Sequence, residues 1–161
     1  MSYAEKLKGL QGFEDAFELV KTAIYDKYKM RRAGLDLLLQ DMPNFIGAYH
    51  VLGSNFIVVN RYVLGAIKAM AQSKEEYNSY VFVVLAHEYL HSLGIVDEFR
   101  VRELTYNMCN TLFGNAHATT RMAKEDPASL YPGLKNLMIA EFGKDFELVK
   151  DFDRSNMSYI G

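Results

Sequence analysis

A chain of 161 residues, half of them hydrophobic and 24% charged, has the material for one domain with a real core. Its formal net charge of −2 leaves no global basic field for holding nucleic acid, and its single cysteine, Cys109, excludes a disulfide framework within one chain. No apolar run approaches bilayer length and the N-terminal stretch has no signal-peptide core, so the sequence reads as one soluble, cytoplasmic domain over residues 1–161 with no membrane partner.

In chain order, residues from about Tyr3 to Tyr28 read as a helix. Phe13, Phe17, Val20, Ile24 and Tyr28 recur at spacings of three and four, while Gly9 and Gly12 weaken the first turns. The basic group Lys27, Lys29, Arg31 and Arg32 suits a solvated helix end. The period then changes. Leu35 to Gln40 reads as a short strand stopped at Met42-Pro43-Asn44. "IGAYHVLGSNFIVVN" reads as two strands joined by a turn at Gly53-Ser54-Asn55. The second of these, Phe56 to Asn60, is apolar on both faces and so expects protein on both sides. A short helix follows near Tyr62 to Ala71.

Ser73 with Glu76 three residues on is a capping-box signal, and Gly94 is a helix stop. Between them lies a helix of about 20 residues, apolar almost all round at its middle and therefore central. Asp97 is a good N-cap for a helix from Glu98 to Phe113. Cys109 lies in that helix among Leu104, Met108 and Leu112, the place of a small buried hydrophobe rather than a reactive thiol. The remainder reads as a helix near His117 to Lys124, a turn around Pro127 to Gly133, and a last helix from Leu134 to about Val149. The class is α+β, with an N-terminal helix, a short mixed sheet of about three strands, a central helix and a helical C-terminal part.

The chemistry concentrates in "LAHEYLHSLGIVDE". Residues four apart on a helix stand one above the other, so His87 and His91 can each bring a ring nitrogen to about 2.0–2.1 Å from one zinc ion. Glu88 falls beside that face, where a carboxylate takes a proton from metal-activated water without becoming a ligand. The bare motif arises by chance often enough to be a modest signal. Two histidines and a glutamate in a buried helix, however, are costly without a partner, and a metal supplies one.

His87-Glu88-Tyr89-Leu90-His91 resembles the zincin metallopeptidases. With Gly94 and Asp97 the stretch is similar to the metzincin signature, with aspartate in place of the usual third histidine. The resemblance spans about Leu35 to Asp97. It implies a zinc cofactor, Glu88 as general base, a peptide or protein substrate, and Phe56–Asn60 as the edge strand along which a peptide lies extended. A metzincin would also carry a methionine turn. Met108, Met122 and Met138 are present, but none sits in such a motif. No tyrosine is assigned to the oxyanion, although Tyr89 and Tyr106 are near in sequence.

The third ligand stays open. Asp97 is the first choice, because Gly94 allows a sharp return toward the metal, although an N-cap role competes for it. Glu103 is the second. On an antiparallel helix hairpin it reaches the level of His87, in a gluzincin-like arrangement with Asn107 one turn on. His117 is the third. His50 reads as a rim histidine. Two further functions compete with the peptidase. One is a zinc-dependent RNA hydrolase of the H-x-x-x-H-x-x-G-x-x-H type, against which Glu88 and the lack of basic charge argue. The other is a non-catalytic, zinc-stabilised regulatory or partner-binding module, a reading that the terminal "DFDRSNMSYIG" occupying the cleft would favour.

Overall fold

In the computed structural model, residues 1–125, 130–136 and 141–153 are described. The apolar stripe of the N-terminal segment forms two helices rather than one, α1 (Tyr3–Lys8) and α2 (Phe13–Tyr28). The break lies at Gly9–Gly12, where two glycines within four residues remove the helix preference that the flanking sequence supplies. Phe17, Val20, Ala23 and Ile24 of α2 are buried. Of the basic group, Lys27, Lys29 and Arg31 lie over tyrosine rings. Arg32 turns inward instead. Its guanidinium donates to Ser92 O at 2.8 Å and to Asn55 Oδ1 at 2.5 Å.

The sheet contains β1 (Asp36–Gln40), β2 (Ala48–His50), β3 (Phe56–Asn60) and β4 (Glu147–Val149), in the order β2-β3-β1-β4. β1 and β3 are parallel, joined in register from Asp36↔Phe56 to Gln40↔Asn60, and β2 and β4 are antiparallel to their neighbours. β3 is therefore an interior strand, covered on both faces as its apolar pattern requires, and β2 is the edge. This corrects the expectation that Phe56–Asn60 is the edge strand. The sheet also has four strands rather than about three. Its extra strand falls where a final helix was expected over Leu134 to Val149. Pro132–Asn136 is a 3-10 helix, Glu147–Val149 is β4, and residues 137–140 lie outside the described residues.

After β3, Asn60 starts α3 (Arg61–Met70). Its side-chain oxygen accepts from Tyr62 N at 3.1 Å and from Met42 N at 3.2 Å, while its amide donates to Met42 O, Pro43 O and Ile46 O. One buried side chain thus ties a helix start to the loop between β1 and β2. α4 (Lys74–Ser92) follows. Ser73 Oγ accepts from Glu76 N at 3.1 Å and Glu76 accepts from Gln72 N at 3.0 Å, so the capping signal is realised with the return bond one residue early. α4 packs against α1, α2, α5 (Glu98–Phe113), α6 (Ala118–Lys124) and β2. Phe82, Leu85, Ala86, Tyr89 and Leu90 are buried on its several faces, the result of being apolar all round. Met108, Met122 and Cys109 are core residues, and burial pushes the Cys109 thiol up to about 12. Among the described residues no helix is long and apolar enough to cross a membrane.

Candidate metal centre

α4 carries His87 and His91 one turn apart, their ring centroids separated by 5.0 Å. Gly94, at φ +99°, ends the helix in the left-handed region where a side chain would be strained. The chain then turns within a few residues into α5. Asp97 is the N-cap of α5, accepting from Arg100 N at 3.2 Å. Glu98, the first residue of α5, has its side chain directed back toward α4, since helix side chains lean toward their own N-terminus. Glu98 Oε1 lies 2.8 Å from His87 Nε2, and Oε2 lies 2.9 Å from His91 Nε2. His87, His91 and Glu98 thus bring ligand atoms to within 4.8 Å of one another. A tetrahedral zinc with ligands at about 2.0–2.2 Å needs them about 3.4 Å apart, so the histidine–carboxylate distances would open slightly and any pair near the 4.8 Å limit would close.

The protons argue the same way. His91 Nδ1 lies 2.8 Å from Ile95 O. A carbonyl only accepts, so Nδ1 holds the hydrogen and Nε2 is the nitrogen turned toward the Glu98 carboxylate. At 2.9 Å a proton joins Nε2 to the carboxylate, and a metal ion bound by both would replace that proton. The Nδ1–carbonyl bond is also what fixes a metal-binding histidine in its ligating tautomer. Burial lowers the pKa of His87, outweighing the opposing pull of Glu98, and so keeps its ring in the neutral form that binds metal. Burial raises Glu98, but His87, His91 and Arg102 outweigh it and hold the carboxyl below the usual range, ionised for the same task.

Glu88 is buried beside the three, 6% exposed, and is not part of the ligand group. Burial pushes its pKa up to about 7, with His91 opposing and Glu98 adding to the rise. It stands where two clefts meet. One, of ≈260 Å3, runs between α4, α5, α6 and the loop of Asn44 to Gly47, and is lined by His87, Glu88, Glu98, Arg102 and Lys124 over a floor including Tyr80, Val83 and Leu134. The other, of ≈270 Å3, lies under β2 and is lined by His50, Leu52, Glu88, His91, Val96 and Glu98. Ala48 of the edge strand borders both.

The other expected residues are engaged elsewhere. Asp97 is spent on the α5 cap. Glu103 pairs with Arg100 on the exposed side of α5. His117 caps α6, with Nδ1 accepting from Thr119 N at 3.1 Å and Nε2 lying 3.0 Å from Glu75. His50 lines the second cleft, its Nδ1 on Phe56 O at 2.8 Å. The Tyr89 hydroxyl is committed to Arg32, taking its N–H at 2.7 Å and giving to its carbonyl at 3.2 Å, and Tyr106 borders neither cleft. Phe152 stacks on Phe17, and Asp153 binds Lys21, so the start of "DFDRSNMSYIG" is anchored on α2 rather than in either cleft; residues 154–161 lie outside the described residues, as does Met138. Glu98 is the residue that sequence reasoning passed over. Its signal was an acid in the first turn of the helix after Gly94, a position that helix-dipole complementarity also explains.

No protein-family model, curated protein or solved structure matches the chain.

Proposed function

We propose that this protein is a zinc-dependent peptidase whose metal is held by His87, His91 and Glu98, with Glu88 as general base. The observation that carries this reading is Glu88. It is a buried carboxyl with a pKa near 7, adjacent to a three-ligand group but outside it, at the junction of two clefts. Two histidines and one carboxylate, with a fourth position left for water or substrate, form a catalytic rather than a structural donor set for zinc. Bound there, zinc supplies a Lewis acid that polarises a carbonyl and lowers the pKa of water. Glu88 takes the proton of the attacking water and afterwards delivers it to the departing amine. Burial, which raises the Glu88 pKa, makes it a better proton acceptor than an exposed carboxylate. His91 is held in its ligating tautomer by Ile95 O. Among the described residues β2 is the edge of the sheet and borders both clefts, a place where an extended peptide would add by main-chain hydrogen bonds.

The test separates the metal from the chemistry. Glu88→Gln should bind one zinc per chain as wild type does and lose at least about 100-fold in hydrolysis of an unfolded protein such as casein. A variant that hydrolyses as fast as wild type would show that Glu88 is not the base.

A further inference from the structure

The charged groups of the two clefts are sorted. Among the described residues, the second cleft has no lysine or arginine in its lining. The first has two, Arg102 from α5 and Lys124 from the end of α6, with Glu88 and Glu125 as the acids beyond the metal group. Arg102 is four residues after Glu98, on the same face of α5 and one turn further along. Its Nε lies 3.4 Å from Glu98 Oε1, a weak contact to a carboxylate whose nearer neighbours are the two histidines. With Glu98 on a metal, the guanidinium keeps its remaining donors for another acceptor, about one helical turn, or roughly 5.4 Å, from the reacting centre. Tyr80, Val83 and Leu134 line the same cleft, whose ≈260 Å3 has room for one large side chain.

We propose that the first cleft is a carboxylate-binding subsite. It takes a substrate with a negative charge one or two residues to the C-terminal side of the bond cut, held by Arg102 and Lys124, with an apolar side chain against Tyr80, Val83 and Leu134. This deepens the peptidase reading and rests on it. A free peptide C-terminus is one source of the carboxylate and an aspartate or glutamate side chain is the other. Arg102 supplies a planar pair of donors matched to either, and Lys124 a second charge.

Binding and cleavage test it separately. The binding probes are N-acetyl-phenylalanine and N-acetyl-phenylalaninamide, titrated calorimetrically into zinc-loaded wild type and the Arg102→Gln and Lys124→Gln variants. Both substituted side chains are exposed, and zinc stoichiometry checks that each variant is folded. The acid should bind wild type about tenfold or more tightly than the amide, and Arg102→Gln should remove most of that difference. Equal binding of acid and amide overturns the subsite. So does a preference for the acid that survives in both variants, which would place the carboxylate on the metal alone. In cleavage, a peptide ending in free phenylalanine is compared with its C-terminal amide, and with an amidated peptide carrying an internal Phe-Asp. Cutting of the first alone assigns the subsite to a chain terminus, and cutting of the third as well assigns it to any carboxylate. Equal cutting of all three leaves a peptidase without the subsite. An Arg102-dependent preference for the acid with no cutting of any peptide leaves the subsite and removes the peptidase.

Discussion

Adjacent residues at the start of α5 have different duties, and substitution separates them. Asp97→Ala should lower stability by about 1 kcal/mol, the worth of an N-cap, and leave zinc affinity unchanged. Glu98→Ala should weaken zinc by more than about 100-fold, beyond what loss of a merely orienting group costs. Zinc titration and thermal melting of the two variants check both halves; equal zinc affinity in Glu98→Ala would return the third ligand to open choice. Glu88 makes a prediction for the metal-stripped protein. Its folded pKa, about 7, is raised above the ordinary 4.5, so between those values the folded state binds more protons than the unfolded one. Stability from this group is therefore full below pH 4.5 and lost as pH rises through 7. Glu88→Gln, which cannot ionise, should be more stable than wild type at pH 8, by about 3 kcal/mol, and lose that advantage at pH 4.5. Chemical denaturation of the stripped proteins at the two pH values reads this, and a pH-independent difference would contradict it. Individual residues were also where the sequence was least decisive. The His87, Glu88 and His91 group rests on helix periodicity, which is a local property. The choice between Asp97 and Glu98 depends on how the two or three residues after Gly94 turn, and a one-residue difference there decides which carboxylate faces the histidines.

At the level of elements, the caps were legible and the strand partners were not. Ser73, Glu76, Gly94 and Asp97 mark the ends of α4 and α5 through short-range bonds, and those ends lie where the residues imply. The edge role of Phe56–Asn60 was misjudged because pairing is long-range. The apolar pattern of β3 reports that both faces are covered and says nothing about how many strands flank it. β4 joins β1 from over 100 residues away, and its three residues carry too little pattern to announce a strand. Asn60 is the residue through which these elements position the first cleft. It bridges the start of α3 and the Met42–Ile46 segment, beside Asn44, Phe45 and Gly47 at the cleft wall. Asn60→Ala leaves several buried backbone groups without partners and should cost about 3 kcal/mol or more. Urea unfolding measures the loss. A change under 1 kcal/mol would show that the loop does not depend on this side chain.

Across the molecule, α4 is central, and the C-terminal part of the chain helps to hold its surroundings in place. Asp153 is fully buried. It accepts from Lys21 at 2.6 Å and from Gly34 N and Leu35 N at 3.1 and 3.3 Å, next to Phe152 stacked on Phe17. These contacts fasten the segment after β4 to α2 and to the entry of β1. Removing Asp153 strips the acceptor from Gly34 N and Leu35 N and leaves Lys21 with Glu18 at 2.9 Å, so Asp153→Ala should destabilise by about 2–3 kcal/mol, while its zinc stoichiometry in the folded state stays at one. A melting temperature within a degree or two of wild type would show that this anchor contributes little. The central claim is the metal centre itself, and a crystal structure of the zinc-loaded protein with anomalous scattering at the zinc edge tests it most directly. The expected result is one zinc within about 2.2 Å of His87 Nε2, His91 Nε2 and a Glu98 oxygen, with Glu88 beside it and unbound. A zinc coordinated by Asp97, Glu103 or His117 in place of Glu98, or no zinc on the two histidines at all, would contradict it.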